Sequence, residues 1–167
     1  MQLSNPSKRK HIHTRRIECL GYERDDGLWD IEGQITDTKT YSFENEDRGK
    51  VKIGEPVHNM LVRLTVDDNL IIQKAEAITS FSPFNICPKI SNTVETLKGL
   101  KITAGFTKSV KERIGGTRGC THITQLITGP LATTAYQTIT PLLFARKKKR
   151  RGLGKPSIID TCYGWAA

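Results

Sequence analysis

The stretch Gly115-Gly116-Thr117-Arg118-Gly119-Cys120-Thr121-His122 gathers the residue types with the widest chemical reach in this chain. Glycine permits left-handed backbone or close approach of another group, and Cys and His are the commonest soft and borderline metal ligands. Apolar residues then recur at Ile123, Leu126, Ile127, Leu131 and Ala135, the spacing of a helical face. Cys120 and His122 are therefore expected where a glycine loop turns into a helix. Cys87, ahead of Pro88, falls at a second expected helix start. Partial positive charge and unpaired N–H groups at helix N-termini favour thiolate over thiol. Cys162 stands two residues from Asp160, on one face of an extended segment. If Cys87, Cys120 and Cys162 converge, with His122 or Asp160 as a fourth ligand, the set suits zinc or an iron–sulfur cluster, since thiolates select both. No C-x-x-C pair, the most specific zinc spacing, occurs.

Each of these residues has a plainer reading. Free Cys packs as a small hydrophobe, and Cys19, on a strand, is most simply packed. His11 and His13 share a strand face in a basic arm, where solvation is the default, and His58 sits on a strand near Met60. Cys120 with His122 as base would make a nucleophile pair, but the two lie close in sequence and no orienting carboxylate is evident. Carboxylates cluster at Asp25, Asp26, Asp30, Glu32 and Asp37. The first two are turn residues, and Asp30 and Glu32 occupy the polar face of their strand. The glycines with Arg118 could cradle a phosphate, although the Walker spacing and its Lys are missing.

Composition bounds these options. A chain of 167 residues with 37% hydrophobic and 26% charged residues is one soluble domain, long enough to bury a core without disulfides. It contains no apolar run of spanning length and no apolar segment after its basic N-terminus, so a cytoplasmic protein is expected, with its four cysteines as thiols or ligands. Arg146, Lys147, Lys148, Lys149, Arg150 and Arg151 supply six of the nine excess positive charges, which leaves a mildly basic body. Such a run binds phosphate-rich polymers or simply keeps a loop solvated.

The elements that must position these residues follow from periodicity. Residues 1–10 read as a loose basic arm. Strands are expected at 11–20, 29–36, 57–66 and 70–78, with turns at Asp25-Asp26-Gly27 and Asp67-Asp68-Asn69 and a charged loop over 44–54. The period then lengthens. Ile90, Val94 and Leu97 mark one helix, 107–114 a second, and 121–138 a third, interrupted near Gly129-Pro130 and closed by Pro141. Strands followed by helices indicate an α+β domain over 11–145, an antiparallel sheet with three helices on one face. Residues 146–156 read as a basic linker, and 157–167 as a segment that docks back and returns Cys162.

The runs Asp26-Gly27-Leu28-Trp29-Asp30-Ile31-Glu32-Gly33, Thr36-Asp37-Thr38-Lys39-Thr40-Tyr41, Leu64-Thr65-Val66-Asp67-Asp68 and Gly119-Cys120-Thr121-His122 resemble a bacterial family known only as a domain of unknown function. In the order of its elements the chain also resembles the iron–sulfur cluster assembly scaffold proteins, where antiparallel strands precede helices and three cysteines bind the cluster. That resemblance implies Cys87 as the first cysteine and Cys120 as one of the later two. The chain departs from it in placing His122 after Cys120 rather than just before a cysteine, and in having Pro88-Lys89 where the scaffolds carry glycine and aspartate. The function expected is an accessory α+β protein, rather than an enzyme, that holds zinc or an iron–sulfur cluster through Cys87, Cys120 and Cys162, assisted by His122 or Asp160. The competing expectation is an interaction module whose basic run docks on an acidic partner or nucleic acid, which salt would weaken steeply.

Overall fold

The computed structural model describes residues 3–151. Six strands come first: β1 (His13–Glu23), β2 (Trp29–Lys39), β3 (Phe43–Asn45), β4 (Gly49–Val51), β5 (Pro56–Val66) and β6 (Ile72–Phe81). A 3₁₀ helix (Cys87–Leu97) follows, and then α1 (Phe106–Ile114), α2 (Thr121–Leu126) and α3 (Ala132–Arg151). The class is α+β, as the order of periodicities predicts. β1, β2, β5 and β6 form one antiparallel sheet in that order, while β3 and β4 pair separately inside the charged loop.

Alternation decides which face is covered. Trp29, Ile31 and Ile35 of β2, Met60, Val62 and Leu64 of β5, and Ala75 of β6 are buried on one side of the sheet. Against them pack Phe106, Val110 and Ile114 of α1, Ile123 and Leu126 of α2, and Leu131, Ala135 and Ile139. Each fully buried aliphatic or aromatic side chain stabilises by about 1.5–3 kcal/mol, so this single cluster carries most of the fold. The opposite face is polar and laced with ion pairs, Arg63–Glu32 at 2.6 Å and Lys74–Glu76 at 2.8 Å. Gly33 on the inner face lets the helical layer settle, because a Cβ there would come within 2.8 Å of Leu131 Cδ2.

The helical half differs from its expected form in two places. Cys87–Leu97 is a 3₁₀ helix rather than an α-helix, and its buried residues Ser91, Val94 and Leu97 recur every third position, the repeat of that helix. Ile90, expected inward, is only partly covered. The third helix is interrupted around Gly129-Pro130, as expected, but it does not stop at Pro141. A π-helical turn at Ile127–Leu131 holds Pro130, widening the helix where an N–H is missing, and α3 then runs through Pro141. Pro141 and Gln137, whose carbonyl it leaves without an intrahelical donor, are both exposed, so water satisfies the break.

The basic run is part of α3 rather than the beginning of a linker. Residues 152–167 lie outside the described residues, and with them Asp160, Cys162 and the expected docking segment. No helix among the described residues is long and apolar enough to cross a membrane.

Candidate functional site

Three cross-strand neighbours start the site. In the register of the sheet Arg15 of β1 lies opposite Asp37 of β2, and Asp37 lies opposite His58 of β5. Antiparallel pairing of this kind brings side chains on one face within reach of each other. Asp37 is 1% exposed, the most deeply buried charged group described. Arg15 Nε donates to its Oδ1 and a terminal guanidinium nitrogen to its Oδ2, both at 2.7 Å. His13 Nε2 lies 3.2 Å from Oδ1, and His58 Nδ1 3.0 Å from Oδ2. The carboxylate is therefore surrounded by four nitrogens. A fork of this kind gives fixed orientation as well as energy.

The glycine stretch supplies the roof. Gly116–Arg118 forms a single 3₁₀ turn after α1, Gly119 is extended, and Cys120 is the N-cap of α2. The first turn of α2 carries His122 onto His58, with ring centroids 3.9 Å apart and planes tilted by 35°. Cys120 Sγ lies 3.8 Å from His122 Nδ1 and 3.9 Å from Met60 Sδ. Gly119 has no room for a side chain, since a Cβ would press into the Ile114 carbonyl oxygen at the end of α1. Gly119→Ala is accordingly expected to lower stability by about 1–3 kcal/mol, as overpacking does, and to displace Cys120 and His122. A denaturation midpoint and the imidazole proton shifts of His122 measure the two effects.

Electrostatics leaves both imidazoles neutral at pH 7. Burial is the main force lowering the pKa of His58, and His122 lowers it further against the opposing pull of Asp37. Burial likewise lowers His122, with the Arg15 charge adding to it. For Asp37, burial works to raise the pKa. The hydrogen bonds and charge of Arg15, together with the nearby imidazoles, outweigh it and hold the carboxyl below its ordinary value of 3.8.

Stability should follow these shifts. Below pH 6.5, the ordinary value for histidine, the unfolded chain binds more protons than the folded one. The metal-free protein is therefore expected to be fully stable with respect to these groups above pH 6.5, and to lose stability as pH falls through the lowered folded values. A second loss is expected below pH 3.8 as Asp37 is protonated. Denaturant unfolding at a series of pH values checks the order of the two losses.

Asp37, His58 and His122 offer ligand atoms that all lie within 4.8 Å of one another, on β2, β5 and α2. Among the described residues they are the one group of three or more such side chains so placed. His122 and Cys120 are thus at the site the sequence points to, but the partners around them are histidine and aspartate. Cys87 opens the 3₁₀ helix beside β6 and belongs to no such group. Asp37 and His58 were legible only as one carboxylate in a cluster and one strand histidine, and Arg15 was not singled out. The available signal was the alternation of His13 with Arg15 on a strand that pairs with the strand of Asp37.

Elsewhere, Arg146 pairs with Glu23 at 2.7 Å and lies over the Trp29 ring, 5.7 Å from its centroid. The first residue of the basic run thus ties α3 to β1 and β2. Cys19, half-buried on β1, packs against the core, and burial raises its thiol pKa.

The family model described as Protein of unknown function (DUF2889) matches residues 13–137, a stretch that takes in every residue of this site and stops before the basic run. No curated protein and no solved structure matches the chain.

Proposed function

The chain belongs to that family of proteins of unknown function, and from this premise we propose that it binds one divalent transition-metal ion, with zinc as the ion of first choice, between Asp37, His58 and His122. The observation that carries this reading is a spacing. His58 Nδ1 and Asp37 Oδ2 are 3.0 Å apart. Two ligand atoms each about 2.0–2.1 Å from one zinc ion stand roughly 3.0–3.4 Å apart, so this edge already has the dimension of a coordination polyhedron. In the metal-free protein a proton occupies it. An ion replaces that proton when the imidazole takes its other tautomer, and His122, whose ligand atom lies within 4.8 Å of the other two, closes the third position by a shift of at most roughly 2 Å.

The protonation states support the same reading. Metal ligands must be neutral imidazole and ionised carboxylate, and both conditions hold here at pH 7 without metal. Nitrogen and oxygen donors favour a single ion over an iron–sulfur cluster, which needs several thiolates. Cys120 touches the set only through His122 and stays a neighbour rather than a ligand. Arg15 and His13 hold the carboxylate from outside, as outer-shell donors do in metal sites, while the Arg15 charge beside the ion limits affinity.

An equilibrium zinc titration of the full chain against a chromophoric chelator tests the reading. One zinc ion per chain is expected near neutral pH, with affinity falling as pH drops through the lowered values of His58 and His122, which lie below the ordinary 6.5. A chain that takes up no zinc from the chelator at any pH between about 6 and 8 would contradict it.

A further inference from the structure

The two edges of the sheet are finished differently. Beyond β6 the chain folds back, with Ile72 N–H donating to Leu100 O, Gly99 N–H donating to Ile72 O and Ile71 bridging to Lys101. β1 has no such cover among the described residues. Thr40 N–H donates to Ile12 O and Arg24 N–H to Leu28 O, and both pairs extend the β1–β2 register. Bonded and non-bonded pairs alternate in an antiparallel ladder, so even-numbered residues of β1 bond to β2 and odd-numbered ones turn their N–H and C=O outward. At the N-terminal end the His13 carbonyl meets the His11 ring, so the open edge starts at Arg15.

We propose that β1 pairs with β1 of a second copy of this chain, antiparallel and centred on Ile17, to make one eight-stranded sheet. This goes beyond metal binding and does not depend on it. The register follows from charge. Centred on Ile17, the outward groups of Ile17 meet those of the partner's Ile17, and those of Arg15 meet the partner's Cys19. Arg16 then falls opposite the partner's Glu18, and Glu18 opposite the partner's Arg16, in the closely spaced non-bonded pairs where side chains interact most strongly. A shift of the centre to Arg16 would oppose arginine to arginine, and a shift to Glu18 would oppose glutamate to glutamate. Neither Arg16 nor Glu18 has an ion-pair partner within the chain among the described residues.

Burial and shape agree with that centre. Ile17, on the helix-bearing face opposite Ile35, and Leu20 and Tyr22, on the other face, are between 43% and 46% exposed, so this edge carries apolar side chains on both faces that a second β1 would partly cover. α3 lies over the far half of β1, near Cys19, Gly21 and Glu23, while Ile17 stays 45% exposed. A two-fold axis at Ile17 therefore sends the two copies of α3 to opposite ends of the shared ladder.

Sedimentation velocity over about two decades of protein concentration reads the assembly, using the full chain, Arg16→Glu, Glu18→Arg and the double exchange. A dimer is expected for the natural sequence, a dissociation constant raised about tenfold or more in each single variant, and recovery in the double exchange, where the pairs are complementary again. These residues are on the solvent face, and circular dichroism establishes that each variant is folded. A monomer throughout, single variants that dimerise unchanged, or a double exchange no better than the singles would overturn the proposal. A monomer whose Ile17 amide resists hydrogen exchange would also overturn it, by showing the chain's own residues 152–167 on that edge.

Discussion

His122→Ala is expected to weaken zinc binding about 100-fold or more, at least as much as loss of an outer-shell partner costs a metal site. His122 is the group that α2 brings to the sheet, and without it the ion keeps only the His58 and Asp37 edge. Little else should change. The His122 side chain is partly buried and stacks on one imidazole, whereas the helix that carries it is held by the buried Ile123 and Leu126. Zinc affinity and unfolding free energy measured on one preparation separate loss of a ligand from loss of the fold. The variant should lose the first and keep the second to within about 1 kcal/mol.

Asp37→Ala is expected to cost about 2–4 kcal/mol of stability with no metal present, because it strands the groups around the most buried charge among the described residues. Arg15, His13 and His58 all turn nitrogens to this carboxylate. Its loss leaves the guanidinium and half-buried His58 without their acceptor. The estimate stays below that for a fully buried ion pair because the Arg15 side chain is 36% exposed and can turn to water. Asp37→Asn should recover little of the loss despite its matched volume, since the new NH2 would face nitrogens that need an acceptor. Urea unfolding midpoints at pH 7 for the two variants check both statements. Equal stability of Asp37→Ala and the parent would show that the carboxylate holds nothing together.

Most of the fold could be read from the chain because period two gives way to longer periods after Ile78. The four long strands and the inward set Phe106, Val110 and Ile114 stand close to where alternation and helical spacing predict them. What escaped depends on tertiary space. Nothing local distinguishes a 3₁₀ from an α-helix over Cys87–Leu97 until β6 is beneath it, and Pro141 ends a helix only where its lost hydrogen bond cannot reach water.

The site was half legible for a related reason. Cys120 and His122 are two residues apart in sequence, and a glycine loop announces the sharp entry to α2. Asp37, His58 and Arg15 come from three separate strands, and only the register makes them neighbours. Cysteine spacing drew attention to Cys87, which the fold places in the 3₁₀ helix and outside the convergent group.

X-ray absorption at the zinc edge, on full-length protein loaded with one equivalent of zinc, tests the proposed centre most directly, because it reads the elements bound to the ion. The account predicts a first shell of nitrogen and oxygen at about 2.0–2.1 Å, with the outer-shell scattering of two imidazole rings and no sulfur. A sulfur shell at about 2.3 Å would contradict it and return the ion to the cysteines.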